Sequence, residues 1–280
     1  MESKPKRPDP LADRNTDQDH LDRLLSAHIK PLGLPTDSLQ TLSNRLQSRV
    51  ALSAAEHQRL LTVRAKQGVW RTLKQGVRYK TLWEGKQGNS VLVEFAPGAS
   101  LPPHRHNWLE EGIVLAGGLQ TESMELGVFD YQASPAGSRH GAIASRQGAL
   151  AYLRGTSLGK SGFVGKELLG GLLPFNSAKG HTVFASPYNE WQPLATGVSI
   201  KMLHDDGVTS SSLIRLDAGA EVDSHAHSQD EECMMLAGEL FLGDILLMEG
   251  DYQLAPAGTE HGKIYSDVGA LLFRRGSTDY

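Results

Sequence analysis

The sequence predicts a mainly β fold, two barrels in tandem behind a small N-terminal helical segment. The chain repeats itself at a shift of 121 residues, the offset between Trp70 and Trp191, and the copies align without a gap from there onward. Repetition on this scale signals two units of one architecture. Each copy is written in short alternating runs, such as Ser90-Val91-Leu92-Val93-Glu94-Phe95, separated by Gly and Pro at about eight- to twelve-residue intervals, the pattern of a barrel or sandwich. The 280 residues include 30 glycines, which suits many tight turns. Two compact units of about 100 to 150 residues fit in that length with an appendage left over.

Residues 1–15 are charged, proline-containing and poor in apolar side chains, and read as a disordered leader. Residues 16–60 form the helical segment. From Asp17 to Ile29, Leu21, Leu24, Leu25, His28 and Ile29 fall at helical spacing. Pro31, Gly33 and Pro35 then punctuate the chain. A second helix follows Pro35 with Leu39, Leu42, Leu46 and Val50 on one face, and Ser53-Ala54-Ala55-Glu56 resembles a capping box that opens a third short turn. Residues 61–155 make the first barrel. Residues 156–180, rich in Gly, Ser and Lys with an apolar stretch at Leu168 to Leu173, make the linker, and residues 181–280 the second barrel.

Composition narrows the function. A net charge of -4 offers no basic field for phosphate backbones, so no direct nucleic-acid partner is expected. No apolar run approaches the roughly 18 residues that span a bilayer, so no membrane association is expected. One cysteine, Cys233, rules out an intramolecular disulfide, and the cytoplasm is the default compartment.

The repeat concentrates on metal-ligating side chains. In the second copy Gly219 precedes His225-Ala226-His227, then Glu231, Gly238 and Pro256-Ala257-Gly258-Thr259-Glu260-His261. The first copy has Gly98, His104-Arg105-His106, Glu110, Gly117 and Pro135-Ala136-Gly137-Ser138-Arg139-His140 at the same spacing. Alternate residues of a strand share a face, so His-x-His points two imidazoles into one barrel interior. A lone His-x-His is more often a packing or surface pair. Drift, however, has no reason to keep four titratable residues at one spacing in two halves that otherwise differ. The candidate ligands are therefore His104, His106, Glu110 and His140, and His225, His227, Glu231 and His261. Two divalent metals per chain are expected, with a coordination position open for water or a small ligand. Nitrogen and carboxylate donors suit Zn, Fe(II), Mn, Ni or Cu without selecting among them.

Each motif carries two adjacent glutamates, Glu110-Glu111 and Glu231-Glu232, of which alternation lets only one face inward. Small Gly112 and Val114 beyond Glu110 favour the first of each pair. Cys233 then lies about 6 to 7 Å along the strand from Glu231. It reads as a buried small hydrophobe or, more sharply, as a redox-sensitive thiol near the metal. Arg154 and Arg275, equivalent at the ends of the last strands, read as exposed strand-end charges rather than substrate-binding guanidiniums. His20, His28, His57, His181 and His204 share no spacing and read as surface or packing residues.

These motifs resemble the cupin superfamily, whose double-stranded β-helix, or jelly-roll, barrels carry G-x5-H-x-H-x3/4-E-x6-G and G-x5-P-x-G-x2-H. The second motif opens with Gly250 in the second copy and Phe129 in the first, which predicts a different turn there. The stretch from His225 through Glu231-Glu232-Cys233 to Pro256-Ala257-Gly258 is similar to the cupin domain of ChrR-type anti-sigma factors. That resemblance implies a zinc-binding sensor in transcription regulation with His225, His227, Glu231 and His261 as ligands. The family's N-terminal cysteine zinc set has no counterpart before Cys233. The partners allowed are a sigma factor on the N-terminal helices, a small-molecule or oxidant ligand, and a second copy in a homodimer. A metal-dependent dioxygenase or isomerase acting on a small diketone or aromatic ketone is the competing reading. A structural or storage bicupin is the third.

Overall fold

The computed structural model describes residues 35–121, 124–160, 181–183 and 191–278. The chain divides into two compact units between Glu56 and His57. Within the first unit, residues Thr36–Glu56 form one helix. Pro35 opens it, its carbonyl accepting from the Ser38 and Leu39 amides at 2.9 and 3.0 Å. Asp37 in the first turn suits the positive end of the helix dipole. The expected break at Ser53 does not occur. A capping serine needs a non-helical backbone, and no Gly or Pro between Thr36 and Glu56 supplies one. Leu39, Leu42, Leu46 and Val50 do fall on one stripe, and all four are exposed. The helix expected at Asp17 to Ile29 and the Leu168 to Leu173 stretch lie outside the described residues.

The second unit holds both barrels. One large sheet runs in the order His181–Val183, Tyr131–Ser134, Glu110–Gly117, Ala149–Thr156, Gly88–Phe95, Val77–Gly85, Trp70–Lys74. The other runs Leu61–Val63, Tyr252–Ala255, Glu231–Leu242, Ala270–Ser277, Thr209–Leu216, Val198–Asp205, Gln192–Ala195. The orders match strand for strand, as the repeat predicts. The outermost strands, however, are exchanged: Leu61–Val63 pairs with Leu254 to Tyr252, and His181–Val183 with Ala133 to Tyr131. Each half's first strand thus closes the other half's sheet.

Alternation assigns each strand two cores. Val91, Val93, Val114 and Ala151 pack inside the first barrel, and Cys233, Met235, Leu240 and Leu272 inside the second. The opposite faces meet in a shared core that contains Ile113, Tyr131 and Tyr152 from the first barrel and Met234, Tyr252 and Phe273 from the second. Full burial of residues such as Met234 and Phe273 contributes about 1.5–3 kcal/mol each.

The turn expected to differ at Phe129 does not. Phe129 takes a positive φ of 67° where Gly250 takes 81°. Both are held alike: the Phe129 amide donates to the Val114 carbonyl at 2.7 Å, and the Gly250 amide to Met235 at 3.0 Å. A left-handed phenylalanine is costly, and packing of its ring against the shared core offsets part of that cost.

Candidate metal centres and the joint between the barrels

The third histidine is brought to the first by strand pairing. His104–Arg105 pairs with Arg139–His140 so that His104 stands opposite His140, and His225–Ala226 pairs with Glu260–His261 so that His225 stands opposite His261. The Pro-x-Gly-x-x-His turn clamps the middle histidine from both sides. The His106 amide donates to Ser138 and its carbonyl accepts from Gly137, at 3.0 and 2.8 Å; Thr259 and Gly258 hold His227 alike, at 2.9 and 2.8 Å. Gly137 and Gly258 have φ of 82° and 74°, which explains glycine at that place in the motif.

In the second barrel, one ligand atom each from His225, His227 and Glu231 lies within 4.8 Å of the others. The His261 ring centroid stands 4.5 Å from that of His227 and 5.8 Å from that of His225. Its Nε2 is 3.6 Å from Glu231 Oε1, and His227 Nδ1 is 3.6 Å from Oε2. Burial pushes His227 down to about 4 despite Glu231, leaving its imidazole neutral at pH 7, the form a metal ligand needs. Burial opposes the Glu231 carboxylate, yet His261 and Arg274 hold it down at about 2. His227 Nε2 and His261 Nδ1 are buried without a hydrogen-bond partner among the described residues. Buried polar atoms rarely go unsatisfied, so clustered donors with orphaned nitrogens fit a metal ion.

In the first barrel, ligand atoms of His104, His106 and Glu110 cluster within the same limit. The two rings are 5.0 Å apart, and His106 Nδ1 is 3.6 Å from Glu110 Oε1. Burial lowers His104 against the pull of Glu110. The strand pairing places the His140 backbone beside this group, while its side chain lies outside the described residues. A cavity of about 100 Å³ opens onto His104 and Glu110. Cys233 is packed in the second barrel's apolar interior, and burial pushes its thiol up, away from the reactive thiolate.

Arg154 and Arg275 are not exposed strand ends: both are paired with buried carboxylates. Arg154 bridges the barrels, donating from Nε to Glu232 at 2.9 Å and from Nη1 to Glu111 at 3.0 Å, while Arg275 Nε donates to Glu111 at 2.8 Å. The second glutamate of each pair therefore faces the joint. Tyr131 donates to Glu111 at 2.6 Å, and Tyr152 and Tyr252 to Glu232 at 2.8 and 2.9 Å. Ser211 of the second barrel donates to Glu111, and Ser90 of the first to Glu232. Sequence reasoning missed this cluster, although Ser90/Ser211, Glu111/Glu232, Tyr131/Tyr252 and Arg154/Arg275 all recur at the repeat shift. It missed Arg274 too, whose Nε donates to Glu231 Oε2 at 2.7 Å where the first copy has Leu153. A break in the repeat was the signal there.

A family model described as the ChrR cupin-like domain matches residues 58–158 and again 179–277. No curated protein gives a significant match. Among solved structures, a candidate dioxygenase from Nostoc punctiforme is 16% identical over 79% of this chain and 83% of its own, with a TM-score of 0.61. The formate complex of oxalate decarboxylase from Lactobacillus farciminis is 12% identical over 79% and 86%, with a TM-score of 0.58. A Bacillus subtilis oxalate decarboxylase variant is 17% identical over 79% and 78%, with a TM-score of 0.56. At these identities the likeness is one of fold.

Proposed function

The chain belongs to the ChrR cupin-like domain family, and from that premise we propose that it is a divalent-metal sensor: a small molecule or oxidant engages a metal centre in the barrels and the response passes to a regulatory partner. The observation that carries this reading is the first barrel, where His104 and Glu110 of the His104, His106 and Glu110 donor cluster border a cavity. His104, His106, Glu110 and His140 hold one metal, and His225, His227, Glu231 and His261 the other. When bound, such a metal supplies Lewis acidity and an exchangeable coordination position. Zinc is the metal that the family resemblance favours. The apolar stripe of Thr36–Glu56 supports a partner such as a sigma factor, because four exposed apolar residues at helical spacing form a face suited to docking.

The test is genetic and direct. In cells lacking the gene, complementation with the full chain, with a chain lacking residues 1–60 and with His104→Ala/His106→Ala is followed by transcript profiling. The reading expects both altered chains to fail to restore the profile. Profiles identical for all three would overturn it.

A second reading, a metal-dependent dioxygenase, takes support from the same cavity and from the fold of the Nostoc punctiforme protein. Oxygen consumption by Fe(II)-loaded protein with small diketones or aromatic ketones separates the two. Silence across metals and substrates leaves the sensor.

A further inference from the structure

The two barrels share a scaffold, yet their interiors are not equivalent. Two cross-strand pairs line the corresponding walls. In the first barrel Gly112 stands opposite Leu153 and Val114 opposite Ala151. In the second, Cys233 stands opposite Arg274 and Met235 opposite Leu272. Three of the four positions thus carry larger apolar or thiol side chains in the second barrel, and the fourth exchanges leucine for an arginine tied to Glu231. Cys233, Met235 and Leu272 close into one buried cluster with Leu240 and Leu242, whereas Gly112, Val114, Ala151 and Leu153 border the cavity beside His104 and Glu110. The small residue at 112 is matched to its neighbour: a Cβ there would fall 2.8 Å from Leu153 Cδ2.

We propose that only the first barrel receives the ligand, and that this ligand is a small uncharged apolar molecule, no larger than benzene, admitted because Val114 and Ala151 leave open the space that Met235 and Leu272 fill in the second. The assignment rests on the metal-receptor reading above, since the molecule would lie against the centre that His104 and Glu110 border. Size follows from volume. The cavity is about 100 Å³, smaller than the apolar cavity of about 150 Å³ that takes benzene. Charge follows from the walls. Among the described residues no lysine or arginine lines the cavity, while Glu110 and Asp130 do, so the two carboxylates offset the charge of a divalent metal and leave no excess positive charge for an anion. The second barrel presents the opposite case, a guanidinium on its carboxylate and Cys233, Met235 and Leu272 packed into one apolar cluster.

The test uses the full-length, metal-loaded protein with cyclopentanone as a neutral probe and butyrate as a charged one, both titrated by ligand-observed NMR, with metal content measured in parallel. Crystals under xenon pressure give an independent readout. The expected result is one cyclopentanone per chain in preference to butyrate, and xenon beside Gly112, Val114 and Ala151 but not beside Cys233, Met235 and Leu272. Val114→Met/Ala151→Leu, which copies the second barrel, should weaken cyclopentanone at least tenfold. Met235→Val/Leu272→Ala should not weaken it. Overpacking can prevent folding, in which case Ala151→Val reads the same site with a smaller change. Cyclopentanone bound equally by the filled variants, butyrate preferred, or xenon in the second barrel alone would overturn the assignment. Protein holding two metals but no probe overturns it while leaving the metal reading intact; protein that takes up no metal overturns the reading on which it rests.

Discussion

Glu110 and Glu111 are neighbours with opposite tasks, as are Glu231 and Glu232. Strand parity made half of this legible, because only one of two adjacent side chains can face a barrel interior, and the first of each pair does join the histidine cluster. The other half was hidden. The groups that meet Glu232 are Ser90, Tyr152 and Arg154 of the other barrel and Tyr252 of its own, and no local spacing records contacts 80 or 142 residues away. Arg154→Met should therefore be costly. It leaves Glu232 buried without its arginine, a loss of about 3–5 kcal/mol by the usual penalty for breaking a buried pair. Urea unfolding measures it, and a change under about 1 kcal/mol would show that the pair is not buried as described. The same cluster gives a pH dependence. Burial works against both carboxylates, but Arg154, with Arg275 for Glu111, outweighs it and holds both below the usual carboxylate range. A depressed carboxyl contributes stability above its unfolded pKa, about 4.3, and loses it as pH falls through the folded value. Metal-free wild type should thus lose stability more steeply below about pH 4 than Glu111→Gln/Glu232→Gln, as read from urea midpoints across an acid series. Parallel acid limbs would contradict the assignment.

At the scale of elements, strand existence was written in alternation and glycine spacing, but strand exchange was not. Leu61–Val63 is only three residues long, too short for a period to register, and its partner lies 191 residues away at the Thr62–Gln253 pair. Around it Arg64 Nη1 donates to Asp251 at 2.8 Å and the Ala65 amide donates to the same carboxylate at 2.8 Å. Two truncations separate the helix from this strand. Removing residues 1–56 deletes a compact unit whose described helix buries no residue, and should leave metal content and the thermal midpoint of the remainder unchanged. Extending the deletion through residue 66 removes the exchanged strand and exposes the Tyr252–Ala255 edge. At about 1 kcal/mol per hydrogen bond lost, this should cost on the order of 2–5 kcal/mol. Equal midpoints for the two truncations would mean that the strand contributes nothing.

At the scale of the molecule, duplication made the barrels legible and left their joint unread, because a repeat shows what two halves have in common and not how they meet. The outward faces of both large sheets carry Ile113, Tyr131, Met234 and Tyr252 into that joint, around the Glu111, Glu232 and Arg154 cluster. The two donor clusters nonetheless sit in separate interiors, so each metal should depend on its own ligands while folding is shared. Metal content is the most direct check of this account: elemental analysis of protein purified without added metal, for wild type, His104→Ala/His106→Ala and His225→Ala/His227→Ala. The account predicts two equivalents in wild type and one in each double variant, with lower unfolding midpoints from the lost metal. Wild-type content retained in either variant, or none in wild-type protein even after metal is supplied, would contradict it.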